Sequence, residues 1–192
     1  CFDKLENYPQ ARFNYKKASH LNAEDSQMYY KIACTYMNEA AWQSAIKQLL
    51  IATRTHRMQP EYNLALGQCY MQLNNMEDAI TYFGNVVRVR PKNINGWQEL
   101  LKCLFAAGMI EEGKEYADFA LEQTDQKPIC FFYKSMFLFA DGRIKEALLQ
   151  LENGMALNAK LVKKFIELNP SILQHPQVVE VIARYKKKKS IR

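Results

Sequence analysis

Apolar residues recur along most of this chain at three- and four-residue spacing, in blocks separated by short polar corners. That pattern predicts a succession of amphipathic helices and no strands. The stretch from Pro60 to Pro91 shows the plan most plainly. Its two apolar blocks flank the polar Asn74-Asn75 corner, and a proline stands at each end. Two antiparallel helices joined by a short turn are expected there. Small residues at Gly67 and Ala79 fall where the two backbones must approach, and Leu66, Tyr70 and Phe83 supply the bulk around them.

The plan repeats with a period of about 34 residues. Ala11, Ala45, Ala79, Gly113 and Ala147 form one column of small residues, and Tyr15, Leu49, Phe83, Ala117 and Leu151 follow four places later. Ala18, Ala52, Val86, Ala120 and Gly154 form a third column. Tyr8, Trp42, Met76, Ile110 and Ile144 form a fourth, and Phe2, Tyr36, Tyr70, Leu104 and Leu138 a fifth. These columns run through five units without an insertion or deletion, the signature of an internal repeat.

With this period and these alternating small and large positions, the chain resembles the tetratricopeptide repeat (TPR) family. The resemblance implies an all-α fold, a right-handed α-solenoid of antiparallel helix pairs with a C-terminal capping helix. The register predicts a partial first repeat over 1–25, then repeats at 26–59, 60–93, 94–127 and 128–159, capping helices over 160–187 and a basic tail at 188–192. Within the repeats, helices are expected at about 26–39 and 42–55, 94–107 and 110–123, and 128–140 and 144–157. The fourth unit is the most divergent, with Leu101 where a small residue is expected and Gly113 where alanine is usual. All six prolines fall at predicted boundaries, where a missing N–H costs nothing.

Beyond Lys160 the pattern changes. A short helix over about 160–168 is stopped by Asn169-Pro170, and Pro176 opens a last helix. Val178, Val179, Val181 and Ile182 are expected to cover the open end of the array, since a terminal repeat cannot leave its stacking face to water. At the other end Cys1 and Phe2 fall mid-repeat, as in a piece of a longer array. An N-terminal cysteine is also the lipidated residue of processed lipoproteins, but Cys1 fits the repeat register.

Charge divides the chain unevenly. Of the formal +6, the segment 160–192 accounts for nine Lys or Arg against two Asp or Glu, which leaves the segment 1–159 near neutral. The repeats therefore lack the basic stripe of a nucleic-acid binder. The Lys186–Lys189 run, with Arg184 and Arg192, reads as a solvated terminus. Its alternative reading is a contact for nucleic acid or an anionic surface. No apolar run reaches the length of a membrane span and no basic-then-apolar leader is read at the start, and cysteines read as buried free thiols fit a reducing compartment, so the cytoplasm is the expected location. Five cysteines without a C-x2-C pair argue against a zinc site, and Cys1, Cys69 and Cys103 share one buried repeat slot with Thr35, too far apart to bridge. No cofactor is expected.

Catalytic constellations are missing from the sequence. There is no phosphate-cradling glycine loop, no H-E-x-x-H and no nucleophile elbow, and His20, His56 and His175 are scattered. The expected function is a non-catalytic scaffold that binds a peptide or helix of a partner protein. In TPR arrays the first helix of each pair lines the concave face, and the resemblance places the ligand there. Carried over position by position, the face holds Tyr30, Leu64, Gln98 and Phe132 in one row. Cys34, Gln68, Lys102 and Met136 follow one turn on. Met37, Met71, Phe105 and Phe139 come next, beside Asn38 and Gln72. Apolar and thioether groups can bury a partner's side chains, and amides can hydrogen-bond an extended backbone. The same residues could instead pack between neighbouring first helices. The rows begin with Tyr30 and Cys34 and hold no repeated Lys/Asn pair, so the carboxylate clamp of chaperone-binding TPR domains is not expected. Tyr29, Trp97 and Phe131 share the position of the consensus aromatic and read as structural. A homo-oligomer, or a regulatory or dimerising role within a larger enzyme or sensor, is compatible with this pattern.

Overall fold

A computed structural model describes residues 7–21 and 25–190, the side chains of residues 20, 21 and 186–190 excepted. The register of Cys1 and Phe2, the role of His20 and the lysines of the basic tail lie outside the described residues. The described chain is all-α and divides into two compact units, residues 1–90 and 91–192. The first unit holds α1 (Tyr8–Leu21), α2 (Ser26–Asn38), α3 (Trp42–Thr55), α4 (Pro60–Gln72) and α5 (Met76–Val89). The second holds α6 (Ile94–Ala106), α7 (Ile110–Gln123), α8 (Pro128–Ala140), α9 (Ile144–Asn158), α10 (Val162–Leu168) and α11 (Pro176–Ser190), with 3-10 turns at Ala159–Leu161 and Pro170–Gln174. The four helix pairs expected between residues 26 and 157 are there, and α2, α4, α6 and α8 begin one repeat apart, at Ser26, Pro60, Ile94 and Pro128.

Local chemistry sets the helix starts. Asp25, Asn75 and Asn93 each accept a hydrogen bond from a backbone N–H of the first turn, at 3.0, 3.3 and 3.0 Å. Pro60 and Pro128 open α4 and α8. The turn inside each pair is also periodic. Ala40, Asn74, Gly108 and Gly142, again one repeat apart, all take the left-handed conformation, with φ of 55°, 58°, 72° and 75°. In each turn the N–H of the following residue reaches back five places, as from Ala41 to Tyr36 O at 2.9 Å and from Arg143 to Leu138 O at 2.9 Å. That closes the first helix with its last carbonyls satisfied. Glycine and asparagine tolerate this conformation, whereas Ala40 carries a Cβ strain of about 1 kcal/mol.

Side-chain volumes are traded between facing positions. At Gly67 a Cβ would lie 2.5 Å from the Phe83 ring, so the bulk of Phe83 depends on that glycine. In the next unit the same two places hold Leu101 and Ala117, both fully buried: the sizes are exchanged. A second trade explains Gly113. The small slot filled by Thr35, Cys69 and Cys103 is taken in the fifth unit by Phe137, which is fully buried, and a Cβ on Gly113 would overlap its ring. The divergent residues of the fourth unit are thus compensations.

The C-terminal segment carries a further finding. Residues 162–174, covered by α10 and the Pro170–Gln174 turn, follow α8 by one repeat, and Phe165 and Ile172 recur at the places of Phe131 and Leu138. Both are buried. Pro170 breaks what would be the first helix of a sixth unit. Val178, Val181 and Ile182 of α11 are buried as expected, and the Tyr185 hydroxyl donates to the Glu152 carbonyl at 3.3 Å. Val179 is a correction. It is 47% exposed, because it falls on the outer side of α11, between the buried Val178 and Val181.

Candidate functional site on the first helices

In the first unit the rows singled out from sequence lie on one flank of α2 and α4. Tyr30, Met37, Leu64, Gln68 and Met71 are half-buried, and Asn38 and Gln72 are exposed. The bases of Tyr30 and Met37 rest on the core of Ala33, Leu49, Leu66 and Cys69. The Tyr30 ring lies 5.0 Å from that of Tyr62, and burial, reinforced by Cys34, pushes its hydroxyl up to about 12. The phenol is therefore a hydrogen-bonding group at neutral pH, not an acid. Thioethers, one aliphatic side chain and three amides alternate over the flank. Such a surface can bury a partner's apolar side chain and at the same time pair with its backbone.

In the second unit the flank changes character. On α6, Gln98 and Phe105 are half-buried and Lys102 is exposed. Phe105 meets the edge of Phe137 at 5.6 Å between ring centres. On α8 the expected binding residues Phe132, Met136 and Phe139 are buried, and this corrects their reading as an open surface. The physical reason is the segment laid over them. Phe165 sits 5.5 Å from Phe132, and the His175 ring 5.2 Å from Phe139. The Lys164 ammonium donates to the Gln98 amide oxygen. These three side chains pack against the rest of the described chain.

Of the consensus aromatics, Trp97 and Phe131 are buried and Tyr29 is half-buried, and the Trp97 indole donates to the Pro91 carbonyl at 2.6 Å. Cys69 and Cys103 are fully buried, and burial pushes their thiols up to about 12 and about 11. At neutral pH they are inert fillers. Among the described residues no three His, Cys, Asp or Glu come together as a metal site. None of the described helices is long and apolar enough to cross a membrane.

One cleft escaped the sequence reading. Its volume is about 290 Å³, and it lies between the second helices α3 and α5 and the start of α4, lined among others by Arg54, Arg57, Asn63 and Asn85. Asn63, 1% exposed, donates to the carbonyls of Arg57 and Gln59 at 2.9 Å each and accepts from Asn85. Asn85 in turn accepts from Arg88 at 2.7 Å. These amides are tied to one another and pin the turn after α3. A buried asparagine three places into a helix was the only sequence signal, and it is a weak one.

Comparison with known proteins agrees with this architecture. The tetratricopeptide-repeat family model matches residues 60–93. Among solved structures, the MamA protein superposes with a TM-score of 0.72 over 84% of this chain and 88% of its own, at 15% identity. Residues 60–93 match as a tetratricopeptide repeat, and the helix pairs of the described residues have the fold of tetratricopeptide-repeat proteins. YrrB, described as a TPR protein with an unusual peptide-binding site, superposes with a TM-score of 0.66 over 93% of this chain and 84% of its own, at 18% identity. At those identities the likeness is one of fold. Superkiller protein 3 of Saccharomyces cerevisiae is 26% identical over 144 residues, 72% of this chain and 10% of its own length. The chain thus spans about a tenth of that curated relative. TPR folds typically serve as protein-interaction scaffolds.

Proposed function

We propose that this TPR chain is an interaction module, without catalysis of its own, that binds an extended peptide or a helix of a partner protein on the flank formed by α2 and α4. One observation carries the reading. Leu64, Gln68 and Met71 stay half-open beside the exposed Asn38 and Gln72, although the chain buries the equivalent α8 positions. Uncharged amides add little to a helix-packing core, and at a protein interface they pair with backbone groups. The α6 residues Gln98, Lys102 and Phe105 offer a smaller patch of the same kind in the second unit. That YrrB is described by a peptide-binding site supports the reading by analogy.

Site-specific photo-crosslinking tests it. A photoreactive side chain at Gln72 or Asn38 is expected to trap a protein from native lysate, and the same group at the exposed Lys47 on α3 is not. The Gln68→Ala/Met71→Glu variant should lose the product while keeping its helical circular dichroism. Crosslinking at Lys47 that survives the double variant would sink the proposal.

A further inference from the structure

The burial of α8's flank is produced by a segment poorly equipped to stay there. Residues 162–174 form seven α-helical residues and a 3-10 turn that begins at Pro170, with Asn169 between them. A helix that short has almost no stability of its own in water. Two of its side chains, Phe165 and Ile172, are buried, while Lys163, Lys164, Glu167, Ser171, Leu173 and Gln174 are exposed. What lies beneath is apolar: Phe165 rests on the Phe132 ring, His175 at the end of the segment rests on Phe139, and Met136 on the same stripe is buried, with Gly154 leaving room against the Phe132 ring. The Lys164 contact reaches as far as Gln98 on α6, so the segment crosses the flank.

We propose that residues 162–175 are a releasable cover which occupies in cis a docking surface of the second unit. When the cover lifts, Phe132, Met136 and Phe139 receive an amphipathic helix of a partner that presents an aromatic side chain next to a lysine, as Lys164-Phe165 does now. The chemistry of the seated segment names the chemistry of the partner: a ring for Phe132, and an ammonium for the Gln98 carbonyl oxygen. The inference rests on the first helices being the binding helices, but it concerns other residues than the α2–α4 flank. Either can fail alone.

The test uses a fluorescein-labelled peptide of residues 160–176 and the full chain. A covered site binds more weakly by the fraction of time it is open. The Phe165→Ala chain is therefore expected to bind the peptide about ten-fold or more tighter than the unaltered chain. A peptide bearing its own Phe165→Ala change should bind neither. Equal affinity for both chains, or none for either, overturns the proposal. Hydrogen exchange on the unaltered chain supplies the check that needs no variant. Amides of 162–168 should exchange through a local opening that leaves α8 and α9 protected. Exchange of all three only in one global step would show a fixed part of the core and would equally overturn the proposal.

Discussion

α4 and α8 occupy the same place in the repeat, have the same length of thirteen residues, and begin with the same proline. Their outer flanks nevertheless have opposite fates. Leu64, Gln68 and Met71 on α4 remain half-open, and Phe132, Met136 and Phe139 on α8 are closed off. Ten of the thirteen residues of α8 are buried, against seven in α4. The difference teaches that the repeat dictates the backbone and leaves the flank to side-chain choice. An amide among apolar groups tolerates water, whereas two phenylalanines and a methionine in one stripe form a surface that must be covered.

Truncation should break the symmetry of the two helices most visibly. Phe132→Ala is expected to destabilise the chain by about 3–5 kcal/mol, the cost of removing a fully buried ring. Leu64→Ala, at a half-open site, should cost about 1–2 kcal/mol. Denaturant midpoints at constant slope would measure both, and equal losses would mean that the flanks do not differ. Next in size, Gly113→Ala should cost about 1–3 kcal/mol through overlap with Phe137, despite the better helix propensity of alanine. The same change in a Phe137→Leu background should be close to neutral, because the ring that created the conflict is gone.

The turns sharpen the comparison at smaller scale. Ala40→Gly is expected to stabilise the first unit by about 0.5–1 kcal/mol, and Gly142→Ala to destabilise the second by about 1 kcal/mol, since both places require positive φ. Melting temperatures that moved in the same direction would contradict the shared turn geometry. The smallest effect at neutral pH is electrostatic. Cys69 and Cys103 have thiols raised by burial from the ordinary 9.0 to about 12 and about 11, so folding favours the protonated form. Their contribution is complete below pH 9 and is lost as the pH rises through 11 to 12. Stability should accordingly be flat from about pH 6 to 8 with respect to these groups and fall above 9. Replacing both by alanine should flatten that alkaline fall.

The repeat period was legible because small and large residues recur in register, and it placed the helices without reference to any contact. The turn residue was half legible. Asn74 and Gly142 announce a left-handed turn, Ala40 does not, and only the repeat puts it there. Gly113 and Leu101 looked like departures from the family pattern until their buried partners, Phe137 one unit on and Ala117 across the pair, came into view. The three aromatic and thioether positions on α8 were misplaced because a row carried over from the neighbouring repeats cannot reveal that a later segment folds back upon it.

The sequence alone therefore determined the class of fold, the pairing of the helices and the residues of the first-helix flank, since periodicity acts through the backbone and each repeat meets only its neighbours. Tertiary structure decided which part of that flank stays open. Pro170 interrupts the sixth first helix and lets residues 162–174 fold across α8, and burial of an exposed apolar stripe favours that arrangement. Whether a side chain becomes a binding surface or a core depends on what else the chain can lay over it, and a linear pattern does not carry that information.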